Sequence, residues 1–402
     1  MMDNSVGLTP MPSPLETATC RRRLTIGLPK CLTRSERRFP LTPEAARNLT
    51  ERGFCLLMEA GAAESIHYPD GAYSKGGVRF VSRRETLQAD IVIHLAPLSV
   101  PDIGQLRKGA LLLTLANFGR REGPEVVHRL LERRVINIAL DLVVDSYGHR
   151  PFADVIAEVS GRAAVTIASG LMADSEHGKG ILLGGIAGVS PCEVVILGSD
   201  LAAGAAARSA IGLGAVVRMF DSDVYRLRAS LRQIGGGVIG SSIHPRALEN
   251  ALRTADVVIS TDLDCPVVVE ASGETLLKKG ALVFDLSSEP GKAFPTMPLR
   301  DLGDRGAKET ADLYRPGEPT SCHICYCNAG SAVPRTAAMA LSDTFITMLD
   351  DIAGCEGASS AIQLTPGLQD AALTFLGKAV NPRVARIAGV RHYDIRLLLS
   401  LS

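Results

Sequence analysis

The chain has 402 residues, with 43 basic and 43 acidic side chains, so its length suits two or three domains and its bulk charge favours no partner. That balance argues against nucleic-acid or membrane-surface binding driven by net charge. With 46% hydrophobic residues, 39 glycines and 4% aromatics, the composition is that of a soluble α/β protein, and nine cysteines, an odd number, favour reduced thiols in the cytoplasm over a disulfide framework.

Residues 1–23 contain Pro10, Pro12 and Pro14, end in Arg21, Arg22 and Arg23, and read as a mobile tail. Strand, turn and helix follow: Leu24 to Leu28 is short and apolar, Thr42 caps a helix whose first residue is Pro43, and Phe54 to Glu59 returns as a strand. Ile91 to Leu95, Ala110 to Leu115 and Val135 to Ala139 are further strands, with a helix over Pro124 to Arg133. Such alternation predicts a parallel sheet covered on both faces. The longest apolar run, 109–118, is half of the roughly 20 residues that a membrane-spanning helix needs.

Ile156 to Ala173 carries small residues at helical spacing and reads as a long helix bridging two domains. After a glycine-rich turn at Gly178 to Gly185 comes a second α/β unit, with strands Val194 to Gly198, Val216 to Asp221, Val257 to Ser260 and Ala281 to Leu286 and a helix at Leu201 to Leu213. A second long helix, Arg335 to Ile352, returns the chain to the first domain. The expected fold class is therefore α/β: two domains with parallel sheets, one Rossmann-like, linked by two long helices.

The segment from Val194 to Gly204 lies where a dinucleotide-binding turn belongs, and Asp221 closes the next strand at the spacing of an acid that bonds the adenosine ribose. Gly198 keeps the first glycine of G-x-G-x-x-G. Asp200 replaces the second, where backbone approaches the pyrophosphate, and Ala203 replaces the third, a mild change at a packing position. A carboxylate about 5 Å from a phosphate charge, at an effective dielectric near 20, costs about 3 kcal/mol per unit pair. As a helix N-cap, Asp200 would instead take the role of the phosphate.

Several stretches resemble the alanine dehydrogenase and pyridine nucleotide transhydrogenase α-subunit family: Gly27-Leu28-Pro29-Lys30, Arg38 to Pro43, Glu59 to Ala62, Glu158 to Arg162, Gly180 to Gly185 and Val333 to Thr336. The resemblance runs in order from about residue 24 to 395, and it implies a discontinuous substrate domain of residues 24–150 plus 330–402 around a dinucleotide-binding domain of 151–329. It implies NAD(H)-linked oxidative deamination of a small amino acid, L-alanine to pyruvate in the family, by a homo-oligomer that is hexameric there. It places Arg38 on the substrate carboxylate, a task suited to a guanidinium fork; a solvated member of the Arg34, Arg37, Arg38 run is the plainer reading.

The family's catalytic lysine falls at Ala96 or a neighbour in Ile93-His94-Leu95-Ala96-Pro97, and the lysine is absent. His94, two residues from Ala96 on one strand face, reads either as a substitute acid/base or as a core histidine. The family's catalytic histidine corresponds to Asn117, which bonds a carbonyl but carries no proton. Its active-site aspartate corresponds to Glu289, and its nicotinamide-side serine to Ala157.

Cys322 to Cys327 holds three thiols and His323; it reads as a core strand, no second zinc half-site follows, and no metal is expected. Two functions fit these residues. One is an alanine dehydrogenase-like, NAD(H)-linked oxidoreductase acting on an amino or keto acid, with Gly198, Asp200, Ala203 and Asp221 at the cofactor; the other is a catalytically silent homologue that acts by binding or assembly.

Overall fold

The computed structural model describes residues 24–116, 123–176, 178–261, 267–304, 323–353 and 358–400. Asn117, Cys322 and the tail 1–23 lie outside them. The first sheet opens with β1 (Thr25–Leu28), β2 (Cys55–Glu59), β3 (Arg79–Val81), β4 (Ile91–Ile93), β5 (Leu111–Thr114) and β6 (Ile136–Ala139). β4, β5 and β6 are buried along their whole length, as central parallel strands covered on both faces must be.

A second sheet contains β7 (Glu193–Leu197), β8 (Val216–Asp221), β9 (Val238–Ser242), β10 (Val257–Ser260), β11 (Leu282–Asp285), β12 (Leu299–Asp301) and β13 (Cys325–Cys327). The chain then returns to the first sheet with β14 (Ala372–Phe375), antiparallel to β6, and the short β15 (Lys378–Ala379). The spatial orders are β15-β14-β6-β5-β4-β1-β2-β3 and β12-β13-β11-β10-β7-β8-β9. Counted from its own first strand, each sheet therefore contains the run 3-2-1-4-5, and each reverses direction beside that strand, between β1 and β4 or between β7 and β10. Crevices at such reversals are where open α/β sheets bind ligands.

Local signals explain the element starts. Thr42 Oγ1 accepts from the amide of Ala45 at 3.3 Å, with Pro43 in the first turn of helix Pro43–Glu51. The bridging helix runs Pro151–Ala173, five residues longer at its start than periodicity predicts, because Pro151 is tolerated in a first turn. It is long and apolar enough to cross a bilayer. Here it is a core helix, with Ala163, Ala164, Val165 and Ala168 packed beneath β7 and β10.

Gly161 lets this helix approach the one at Leu201–Gly212: a Cβ there would sit 2.2 Å from the Ala202 carbonyl oxygen. The other long helix, Pro334–Ala353, packs into the core of the first sheet through Leu341, Phe345 and Leu349. Phe152 and Phe345 join the two long helices edge to face, with ring centroids 4.9 Å apart. Burial of each ring contributes roughly 1.5–3 kcal/mol.

Some elements gave little periodic signal. β9, with the sequence Val-Ile-Gly-Ser-Ser, is an edge strand with no apolar alternation, and β13 is three buried residues of the Cys/Tyr segment.

Candidate functional site

Residues that follow the strand ends of both sheets line one cleft of about 310 Å³. That size is at the small end for ligand pockets. Arg38 follows β1, Ala96 follows β4, Ala116 follows β5 and Asp141 follows β6, while Ser287 and Glu289 follow β11 and Asn328 follows β13. The floor is stitched across the sheets: Asn328 Nδ2 donates to the Ser35 carbonyl at 2.7 Å and to Asp301 Oδ1 at 2.9 Å, and Ser331 Oγ donates to the same Ser35 oxygen at 2.9 Å.

Arg38 sits in this lining with one edge of its guanidinium engaged. Nε donates to Glu36 Oε1 at 2.8 Å and Nη2 to Oε2 at 2.5 Å, which is a bidentate pair with both side chains nearly buried. Burial by itself lowers the arginine pKa, but Glu36 first, then Asp141 and Asp301, more than offset this and raise it. Glu36 thereby fixes the plane of the fork. Nη1 has no hydrogen bond among the described residues.

Asp141 and Arg150 also line the cleft, and sequence reasoning passed over both. Asp141 Oδ1 accepts from the Ala116 amide at 2.7 Å. Burial raises its pKa above the ordinary carboxylate value, against the opposing pull of the Ala116 and Asp141 amides, Arg150 and Arg38. Arg150 is the N-cap of the bridging helix and donates through Nη2 to the Asp141 carbonyl at 2.9 Å. The available signal was positional: a polar residue just past a buried strand, and a cation just before a helix.

His94 and Glu289 are placed differently. His94 is buried outside the lining, with Nδ1 2.5 Å from the carbonyl oxygen of Ala96, which does line the cleft. Burial lowers its pKa and keeps the ring neutral, with the Ala96 carbonyl opposing. Glu289 lines the cleft, yet its carboxylate is held by Lys292 at 2.7 Å and by Arg383. Those two hydrogen bonds, Lys292 first, hold its pKa below the ordinary value, so it is an anion in an ion pair at neutral pH.

The acids of the dinucleotide turn make hydrogen bonds within the chain. Gly198 has φ +116°, a conformation that side chains rarely adopt, so the turn itself keeps its glycine. Asp200 is the N-cap of helix Leu201–Gly212, and its Oδ1 accepts from the Ala203 amide at 2.9 Å, using a donor that a phosphate would use. Ala203 is fully buried under the sheet.

Asp221 is 1% exposed and forked by Arg226, with Nε to Oδ2 at 2.9 Å and Nη2 to Oδ1 at 3.0 Å; the Ser199 hydroxyl donates to Oδ2 at 2.5 Å. Burial raises its pKa, but Arg226 and Ser199 outweigh that and lower it overall. The two acidic positions of the turn thus already have internal partners. In this conformation they do not fit a dinucleotide pyrophosphate and ribose. Gly198, Asp200 and Asp221 are also outside the cleft lining, which the turn reaches through Ala202. Among the described residues no group of three or more His, Cys, Asp or Glu side chains could hold a metal ion.

Two sheets that share the run 3-2-1-4-5 and whose strand ends line one small cleft, one of them with a dinucleotide-type turn, define a two-domain protein of Rossmann type. Family models for the alanine dehydrogenase/PNT N-terminal and C-terminal domains match residues 27–160 and 164–382. The chain belongs to the alanine dehydrogenase/PNT family.

Its relatives include the alanine dehydrogenase of Mycolicibacterium smegmatis, 28% identical over 377 residues that cover 90% of this chain and 96% of that protein. The alanine dehydrogenase of Staphylococcus saprophyticus is 27% identical, covering 94% of this chain and all of the other. Among solved structures, an L-alanine dehydrogenase superposes with a TM-score of 0.77 at 25% identity, covering 90% of this chain and 99% of that one. A transhydrogenase from Sinorhizobium meliloti, at 20% identity and a TM-score of 0.70, covers 89% of this chain and 99% of that one, and shares the fold.

Proposed function

We propose that this chain binds a small amino or oxo acid in the cleft and does so without NAD(H)-linked turnover. On this reading it is a family member that keeps the acid site and has closed the dinucleotide site. The observation that carries it is the pair of internal contacts at the turn, Asp200 on the Ala203 amide and Asp221 in the Arg226 fork. The acid site is supported by Arg38, whose oriented fork offers Nη1 to a ligand carboxylate.

Titration of the purified chain with NADH, followed by fluorescence, and a pyruvate plus ammonia assay for NADH consumption test this directly. The expected result is no saturable NADH binding up to about 1 mM, a free energy near −4 kcal/mol, and no consumption. Tight NADH binding with turnover would overturn it.

A second reading, an NAD(H)-linked amino-acid dehydrogenase of the alanine dehydrogenase type, is favoured by one observation. Asp141 lines the cleft close enough to Arg38 for their charges to interact, and its carboxyl keeps its proton to higher pH than an ordinary aspartate. Asp141 would on this reading serve as proton donor to an acid held by Arg38. On this reading Asp200 turns from the helix end when the dinucleotide binds, and Asp141→Asn abolishes turnover while leaving acid binding in place.

A further inference from the structure

Three arginines line the cleft, and their counter-charges differ. Arg38 is forked by Glu36, and Arg383 is paired with Glu289. Arg150 hydrogen-bonds the main-chain carbonyl of Asp141, and among the described residues no carboxylate lies within salt-bridge distance of its guanidinium. A guanidinium stays protonated throughout the physiological range. Half-buried, with no ion pair among the described residues and only a longer-range interaction with the Asp141 carboxyl, it bears a desolvation cost that an anion from outside would offset.

Two further facts place that anion. Arg150 caps the 23-residue helix Pro151–Ala173, so the positive end of the helix dipole adds to its field. Asp141 feels the charges of both Arg38 and Arg150, so the two guanidinium groups lie near one carboxyl in a cleft of about 310 Å³.

We propose that the ligand of this cleft is a short dicarboxylate with a 2-amino or 2-oxo group, its α-carboxylate on Arg38 and its second carboxylate on Arg150. This rests on the acid-binding reading above and names its substrate class. A three-carbon acid such as alanine or pyruvate fills the Arg38 end alone. An aliphatic side chain on the ligand would leave Arg150 without its counter-charge. The site therefore discriminates by charge at the far end of the ligand, through an unpaired group that the wrong ligand leaves exposed.

Isothermal titration of the full chain with 2-oxoglutarate against pyruvate, and with L-glutamate against L-alanine, tests the assignment. At least one dicarboxylate is expected to bind about tenfold or more tightly than its three-carbon counterpart, as a charge-assisted pair allows. Arg150→Met should bring that ratio below about twofold, and Arg150→Lys, which keeps the charge and loses the planar fork, should fall between. Circular dichroism of each variant checks its fold, and the wild-type ratio stands as a test even where a variant fails to fold.

Equal affinities in the wild type, no binding of any of the four acids, or a ratio that survives Arg150→Met would each overturn the inference. So would an Arg150→Met effect confined to NADH, which would assign the arginine to the dinucleotide. The outcomes for the broader reading are separate. NADH consumption would sink binding without turnover while the acid ratio still decides the role of Arg150. A ratio near one with no NADH binding would sink only the dicarboxylate.

Discussion

The two sheets of this molecule share the run 3-2-1-4-5 and differ in where the acids past their strand ends find counter-charges. At the end of β8, Asp221 is buried and forked by Arg226, so its charge is satisfied by the chain and its pKa is held down. Past β6, Asp141 is met by the main-chain amides of Ala116 and of Asp141 itself, forms no side-chain ion pair among the described residues, and burial pushes its pKa up. The same residue type past a strand end of each sheet is thus ion-paired in one and held by main-chain amides in the other. On the proposed reading, a crevice closes when the chain supplies both partners of each charge, and it stays a site when one partner is missing.

The largest expected effect breaks the open crevice. Arg38→Met leaves Glu36 buried without its partner and should cost about 3–5 kcal/mol in urea denaturation, with loss of acid binding. Adding Glu36→Gln should restore most of the stability and none of the binding. If the single variant were as stable as the wild type, the pair would not be the organising contact of the anchor.

Next comes the closed crevice. Asp200→Gly removes the carboxylate from the phosphate approach, and NADH affinity should rise about a hundredfold, the equivalent of about 3 kcal/mol. An unchanged fluorescence titration would move the block to the fork between Asp221 and Arg226.

A pH series sharpens the contrast, because the two aspartates carry opposite signs. Asp221 has a depressed folded pKa, so its stabilisation is full above the unfolded value near 4 and is lost as pH falls through the folded pKa. Asp221→Asn should therefore cost about 1.5–3 kcal/mol at pH 7, a difference that shrinks in acid. Asp141 has a raised folded pKa, so its ionised form penalises the native state above that pKa. Asp141→Asn should raise stability at pH 7, and this gain should vanish as pH falls through the folded pKa toward about 4. Parallel pH profiles for the two variants would contradict the contrast.

The smallest effect is local. Asp200→Ala removes the cap on Ala203 and should cost about 1 kcal/mol, with no gain in the stability of the sheet. Thermal denaturation of this variant beside Asp200→Gly separates the loss of the cap from the opening of the phosphate site.

Much of this molecule was legible residue by residue. Thr42-Pro43 starts a helix, Val216–Asp221 and Val257–Ser260 are strands with the bounds that their apolar runs predict, and Asp200 caps the helix after it. These depend on neighbours within a few positions, and capping, turn and periodicity rules act at that range. The dinucleotide turn and its changed glycine were legible for the same reason.

The site was less so, because its charges are settled by residues distant in sequence. Glu289 reads as a catalytic carboxylate until Arg383, 94 positions later, is found on it, and Ser35 is fixed by Asn328 and Ser331 from the other end of the chain. Arg226 stands only five residues from Asp221, but its role needs a helix start folded back over a strand end.

By itself, the sequence determined the alternation of strands and helices, the family resemblance, the absence of a lysine from Ile93 to Pro97 and the carboxylate at Asp200. Tertiary structure alone decided which ionisable groups face one another. It put His94 outside the lining, Arg38 in the grip of Glu36, and Asp141 with Arg150 at the cleft. Propensity is a property of adjacent residues, whereas a counter-charge is a property of whatever the fold brings within a few ångströms.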